Sequence, residues 1–365
     1  MTVGDRIRQA RELRGMNQVQ LAKALGLNQS AIAHIEGGRN DATDEMIKAI
    51  SFQTGFPVSF FTQGEAPSFS LGTLMFRARV AMTARERQIA YRYAQVAYEV
   101  AERLTQGVEE IPVRLPHIEE EPVKAAHVMR LSLGIPDNEP IPKVISPLEK
   151  CGVFVLALPL HSHSQDAFSL WAGDGKRPVI ALFADKSGDR IRWNVSHELR
   201  HLTARANGSL AEIETDANLF AAEFLMPEKA MLSEIVPPVT LSRMMELKAK
   251  WGVAIQALVR RAFELEMITE RQYRYLFEQI GRHGWRTNEP VSVAVEKPRV
   301  LRAMAEAVYG IPLDYKTIAT NMRLPYSLTK ALFEGHAGTA ATAKRGQVLA
   351  FKPSVSSSSG RERPS

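Results

Sequence analysis

Apolar residues recur at helical spacing through the first third of the chain. In DRIRQARELRG, Ile7, Ala10 and Leu13 share one face, and the pattern stops at Gly15. NQVQLAKALG opens on Asn17, a good N-cap, turns Leu21, Ala22 and Leu25 inward, and stops at Gly26. After GLN, QSAIAHIEGG places Ile32 and Ile35 inward. Residues 67–110 read as one long amphipathic helix, entered through GTLMFRARVAMTARER, with a stripe of Ile89, Tyr93, Val96, Ala97, Val100 and Leu104. IPVRLP at 111–116 breaks the pattern. Beyond it, GVFVLALPL (152–160), AFSLWAG (167–173) and RPVIALF (177–183) are short continuous apolar runs that suit buried strands, and GDGK at 173–176 suits the turn between the last two. Helical spacing returns from about 190 to 280 and again over 291–340. The tail from 341 is poor in apolar residues and reads as disordered.

The expected organisation is therefore a helical segment over 1–66, a linking helix over 67–110, a mixed domain over 111–290, a helical extension over 291–340 and a tail over 341–365. Composition changes this little. With 45% apolar and 24% charged residues among 365, the chain has the balance of a globular protein, and it shows no apolar run long enough to span a membrane. No secretory signal is visible and the one cysteine, Cys151, forbids an intrachain disulfide or a cysteine-built metal site, so a cytoplasmic protein is expected. Cys151 itself reads as a small buried hydrophobe at the head of a strand. The net charge of +6 is uneven: residues 281–365 alone carry +7.

Two short helices joined by a glycine-containing turn form a helix-turn-helix, whose second helix can enter the major groove. Gln29, Ser30 and His34 fall on its outward face, and glutamine suits a bidentate contact to adenine. Gln18 and Arg39 are placed to hold phosphates. The alternative is a helical scaffold for protein contacts.

The strongest chemical signal is WNVSHELRHL at 193–202. His197 and His201, at i and i+4, share a helix face and can reach one zinc ion. Glu198, about 100 degrees away around the helix, can meet a water that the metal acidifies and take its proton. A third ligand is needed, and ETDANLFAAEFLMP at 214–227 supplies a helix carrying Glu214 and Asn218 at i and i+4, apart from the apolar stripe of Ala217, Phe220, Ala221, Phe224 and Leu225. Glu212, Asp216 and Glu223 compete with Glu214 on spacing. Weaker signals are His161 and His163, read as loop residues; the basic cluster of Arg77, Arg79, Arg85 and Arg87, read as a solvated face; and YKTIATNMRLPYSLTKALFEGHAG (315–338). That last segment reads as a helical hairpin packed on the mixed domain, with a degenerate second helix-turn-helix as the alternative.

QVQLAKALGLNQSAIAHIEGGR resembles the XRE-type (Cro and phage-repressor) helix-turn-helix family, in which both glutamines lie at the DNA surface. HELRHL followed by ETDANLFAAEFLMP resembles the ImmA/IrrE family of zinc metallo-endopeptidases. Residues 76–102, 166–202 and 247–277 are similar to the subfamily that fuses the two, so the resemblance spans roughly 1–290. It implies an all-α helix-turn-helix domain followed by an α+β zincin-like metallopeptidase domain with a small sheet, then helices. It also implies one zinc ion on His197, His201 and Glu214, with Glu198 as general base. Arg200 stands where the family usually has a small residue; beside the ligand pair, it would narrow the cleft or bind an acidic substrate. Arg192 and Arg200 are the candidates for stabilising an oxyanion.

The expected protein is a regulator that binds a double-stranded DNA operator and cleaves a repressor-type protein, in cis or in trans, often in a stress response. The alternative is a regulator whose peptidase fold is a non-hydrolytic sensor of metal or ligand. A homodimer is expected because operator symmetry mirrors protein symmetry, with the helix at 84–106 as part of its interface. No membrane partner is expected.

Overall fold

The computed structural model describes residues 2–64, 83–109, 111–162, 166–205 and 208–338. His163, Arg77, Arg79, the entry segment from 67 to 82 and the tail from 341 lie outside the described residues.

Five helices open the chain: α1 (Val3–Leu13), α2 (Gln18–Ala24), α3 (Gln29–Glu36), α4 (Asp44–Thr54) and α5 (Val58–Phe61). Local chemistry sets their ends. Thr2 and Asp5, and Asn17 and Gln20, form capping boxes that satisfy the first N–H groups of α1 and α2. Gly26, at φ 68°, supplies the left-handed turn into α3. α1 crosses α3 at Gly4, where an added Cβ would lie 2.0 Å from the Ile35 carbonyl oxygen. Gly4→Ala is therefore expected to destabilise this segment by about 1–3 kcal/mol, read as a lower urea midpoint of the α1–α5 signal.

The next helix, α6 (Ala84–Thr105), is capped by Thr83 and Glu86. It does not present a single stripe. Tyr91, Ala94, Gln95, Val96, Tyr98, Glu99, Val100 and Ala101 are all buried, which covers its circumference. One side meets α1, where Arg6 forks onto Glu99 at 2.8 and 2.8 Å and Arg92 pairs with Glu12 at 2.6 Å. The other meets strand β1 and a later helix. From Ala90 onward, helix 84–106 is thus largely packed within its own chain, while Ala84, Arg85 and Glu86 stay exposed. Its polar positions Arg92 and Glu99 are buried as ion pairs rather than solvated.

α7 (Pro122–Ser132) and α8 (Ile145–Lys150) lead into the sheet of β1 (Phe154–Leu158), β2 (Ala167–Ala172) and β3 (Arg177–Phe183). Its order is β1-β3-β2, with β1 parallel to β3 and β2 antiparallel to it; the GDGK turn joins β2 to β3, setting Ala172 opposite Arg177. The strands are buried on both faces, which is why they read as unbroken apolar runs. Phe154, Leu156, Phe168, Leu170 and Val179 face a core shared with α1–α6. Val155, Ala167, Ile180 and Leu182 face a second core. That core is closed by α9 (Gly188–Thr203), α10 (Leu210–Leu225), α11 (Glu228–Glu234), α12 (Leu241–Trp251), α13 (Ile255–Glu264) and α14 (Glu270–Arg282). Cys151 caps the end of α8, a few residues before β1, and is half-buried rather than fully buried.

α15 (Val300–Tyr309), α16 (Tyr315–Met322) and α17 (Tyr326–Glu334) return to the first core, against α6 and β1. His336, fully buried, fastens them to the sheet edge. Its Nε2 accepts from the Ala157 N–H at 3.2 Å, and its Nδ1 lies 2.8 Å from the Leu332 carbonyl oxygen, to which it donates. Burial, with Arg302 and Lys297 nearby, lowers its pKa to about 4. The unfolded chain binds that proton near pH 6.5. Protonation therefore favours release, and the stability this contact provides is complete above about pH 6.5 and lost as pH falls towards 4. Wild type is expected to lose about 2 kcal/mol more than His336→Gln between pH 7 and pH 5, measured by denaturant unfolding at each pH.

Candidate functional site

α9 and α10 lie side by side and carry the donor set. Three side chains converge: His197 Nε2 is 3.0 Å from His201 Nε2 and 3.2 Å from Glu214 Oε2, and His201 Nε2 is 3.5 Å from Glu214 Oε1. The three residues form the one metal-capable cluster among the described residues. Ligand atoms about 2.1 Å from a tetrahedral ion stand about 3.4 Å apart, so the triangle fits a small divalent ion without rearrangement. Hydrogen bonds from both histidines hold the Glu214 carboxyl far below the usual range. Burial alone would lower the pKa of His197, but its partners Glu214, Glu198 and Asn218 outweigh burial and raise it. Asn218 Oδ1 lies 3.1 Å from His197 Nδ1. With Asn218 accepting the Nδ1–H, Nε2 is the nitrogen that would offer a lone pair to a metal in place of its hydrogen bond to Glu214.

Glu198 is buried beside this set, and its Oε2 accepts a hydrogen bond from the Ser169 hydroxyl of β2 at 2.6 Å. The sequence reading missed Ser169; its only signal was a hydroxyl inside the apolar run AFSLWAG. The competing carboxylates are otherwise engaged. Glu212 caps α10 with Ser209, Asp216 pairs with Arg200, and Glu223 pairs with Arg261 and His127.

Arg200 does not line the cleft. It is 4% exposed and points away, donating to Asp216 at 2.5 and 3.1 Å and to the carbonyls of Ile118 and Glu120. At i+3 from His197, it falls on the side of α9 that meets the irregular segment at 118–120. Arg192 is likewise spent on Glu296 and the carbonyls of Ile141 and Trp251. Neither stabilises an oxyanion. His161 pairs with Asp185 at the surface.

In the helix-turn-helix, Gln29, Ser30, His34 and Arg39 are exposed. Gln29 Nε2 donates to Gln18 Oε1 at 2.7 Å, and Gln18 Nε2 donates to Glu36 Oε2 at 2.9 Å. Glu36 is itself held by Arg11 at 2.6 and 2.8 Å. Gln18 thus anchors the first residue of α3, and Ser30 is set by the N-cap Asn28.

Family comparisons agree with both halves. Residues 7–59 match the helix-turn-helix family model and residues 148–263 match the IrrE N-terminal-like domain of peptidase M78. The chain thus joins an XRE-type helix-turn-helix to a peptidase domain of the ImmA/IrrE kind. Together these define a DNA-binding regulator type that carries a domain of a typically metal-dependent peptidase family. Comparison with curated proteins gave no match. Among solved structures, the chain is similar to the crystal structure of Bacillus thuringiensis PlcR in complex with the peptide PapR7 and DNA. That match has 14% identity over 79% of this chain and 99% of that one, with a TM-score of 0.17, too low for the likeness to bear on the argument.

Proposed function

We propose that this chain is a transcriptional regulator whose peptidase domain is a zinc-dependent endopeptidase acting on a repressor-type protein, in cis or in trans. The observation that carries the reading is the donor triangle of His197, His201 and Glu214 with a buried carboxylate, Glu198, one residue along the same helix. Two imidazoles and one carboxylate with a position left open are the donor set of a catalytic rather than a structural zinc site. When bound, the ion supplies Lewis acidity to a peptide carbonyl and acidifies water. The chain's own residues do the rest. Asn218 fixes the tautomer of His197. Glu198 takes a proton from the attacking water and passes it to the leaving amine. Ser169 holds the Glu198 carboxylate against β2.

We assign DNA reading to residues 1–66, through Gln29, Ser30 and His34 at base edges and Gln18 and Arg39 at phosphates, and the peptidase fold to 111–290. A protein at an operator works in the cytoplasm. Palindromic operators would pair it as a homodimer, with the exposed start of α6 as part of its interface. No helix among the described residues is long and apolar enough to cross a membrane.

The sensor reading keeps one supporting observation. A single core runs from α1–α5 through α6 to the sheet beneath α9, so metal occupancy has a packed route to the DNA-reading helices. Co-expression with an XRE-type repressor separates the two. The peptidase reading expects a shortened repressor that depends on Glu198. An intact repressor, with DNA affinity that shifts on metal removal, would favour the sensor.

A further inference from the structure

Residues 300–335 reproduce the helix-turn-helix found at the other end of the chain. α1, α2 and α3 begin at Val3, Gln18 and Gln29; α15, α16 and α17 begin at Val300, Tyr315 and Tyr326. In both sets the second helix starts 15 residues after the first, and the third starts 11 residues after the second.

The turns agree in detail. Gly26 and Arg323 occupy the same place, both left-handed, at φ 68° and 56°. The next residue is a leucine in each. Leu27 donates its N–H to the Ala22 carbonyl and Leu324 to the Ala319 carbonyl, both at 2.9 Å. The inward positions match in kind: Leu21, Ala22 and Ile35 in the first set, Ile318, Ala319 and Leu332 in the second, all buried.

The outward positions also correspond. Gln29 and Ser30, which open the reading helix α3, align with Tyr326 and Ser327, both exposed, at the start of α17. Lys316, Arg323 and Lys330 are exposed on the same unit. Of the acidic groups there, Asp314 caps α16 and Glu334 forms an exposed pair with Lys330 at 3.7 Å. Pro57, which caps α5, and Ser59 of α5 border Lys316, Thr320 and Tyr326 across an open groove of about 380 Å³ rather than packing over them.

We propose that α15–α17 is a second helix-turn-helix that contacts double-stranded DNA, with α17 as its groove-facing helix and Lys316, Arg323 and Lys330 on phosphates. A left-handed arginine is costly to keep where glycine would fit better, and a phosphate contact gives that side chain a use. Both units share the core around α6, and Arg103 of α6 donates to the Met322 carbonyl at the end of α16. The spacing between them is therefore built into the fold. The proposal takes its template from the DNA-binding reading of the first unit, but it is tested separately.

The test uses the full chain and a random-sequence 40-bp duplex, with affinity measured by fluorescence anisotropy over a range of salt concentrations. The variant combines Lys316→Gln, Arg323→Gly and Lys330→Gln. Glycine suits the backbone at 323, so the fold is expected to survive, and the denaturation midpoint checks that it does. Each phosphate contact contributes about 0.9 to the slope of log affinity against log salt. The variant is expected to bind at least about tenfold more weakly, with a slope shallower by roughly two to three. A folded variant with unchanged affinity and slope would overturn the proposal. Gln29→Ala with Arg39→Gln probes the first unit alone. If that variant binds like wild type, the reading of α1–α5 fails, while the triple variant still decides the second unit.

Discussion

Replacing Glu198 with glutamine is expected to lower repressor cleavage about 10³-fold while leaving metal content unchanged. Glutamine keeps the shape of the side chain and a carbonyl oxygen to accept from the Ser169 hydroxyl, now 2.6 Å from the carboxylate. It cannot accept the proton of the attacking water. Glu198 belongs to none of the three converging donor atoms, so metal affinity does not depend on it. Cleavage is followed by electrophoresis of the co-expressed repressor, and metal by mass spectrometry of the purified chain. If the variant cleaved at the wild-type rate, Glu198 would not be the base. If it lost its metal, the ligand set would be wrong.

The second large effect is on stability. Arg6 is fully buried at the contact of α1 with α6, where it makes a double hydrogen bond to Glu99 and donates to Gln9 and the Gly64 carbonyl. Arg6→Met removes the charge and leaves the Glu99 carboxylate buried with only Arg103 to compensate. Breaking one partner from a buried pair costs about 3–5 kcal/mol, and Arg103 brings the expectation to the lower end. The variant should show the α1–α5 segment unfolding at clearly lower urea than the sheet domain, by hydrogen exchange of the two regions. Equal loss of protection in both regions would instead show that the α6 core unfolds as one unit. The double variant Arg6→Met/Glu99→Leu should recover much of the loss, because the one charge left without its carboxylate, Arg103, is partly exposed and keeps its hydrogen bond to Gln63.

The parts of this protein that a sequence reveals are those with local causes. Asn17, Gly26 and the spacing of Ile32 and Ile35 are enough to mark two helices and their turn. The three strands are legible as continuous apolar runs because both faces of the sheet are buried. The i, i+4 spacing of His197 and His201 puts both rings on one face whatever else the chain does. The pairing of Glu214 with Asn218 on a second helix pointed to the side of α10 that faces them, where Asn218 meets His197.

What stayed hidden depends on contacts far apart in sequence. Arg200 sits within the histidine motif, and nothing local says that its guanidinium turns back to Asp216 and to carbonyls some eighty residues upstream. Ser169 gains meaning only when β2 pairs with β3 and lies against α9. The single apolar stripe read for α6 left out Arg92 and Glu99, whose burial depends on Glu12 and Arg6, some eighty to ninety residues away. The correspondence between α1–α3 and α15–α17 is equally non-local, since it shows in backbone register and burial far more than in residue identity.

The central claim is that His197, His201 and Glu214 hold one catalytic ion. Metal content of the purified wild type, His197→Ala, Glu214→Gln and Glu198→Gln tests it most directly. The account predicts close to one zinc per chain for wild type and Glu198→Gln, and a marked loss for the other two at unchanged folding. Wild type purified without zinc, and failing to take it up at micromolar concentration, would contradict it.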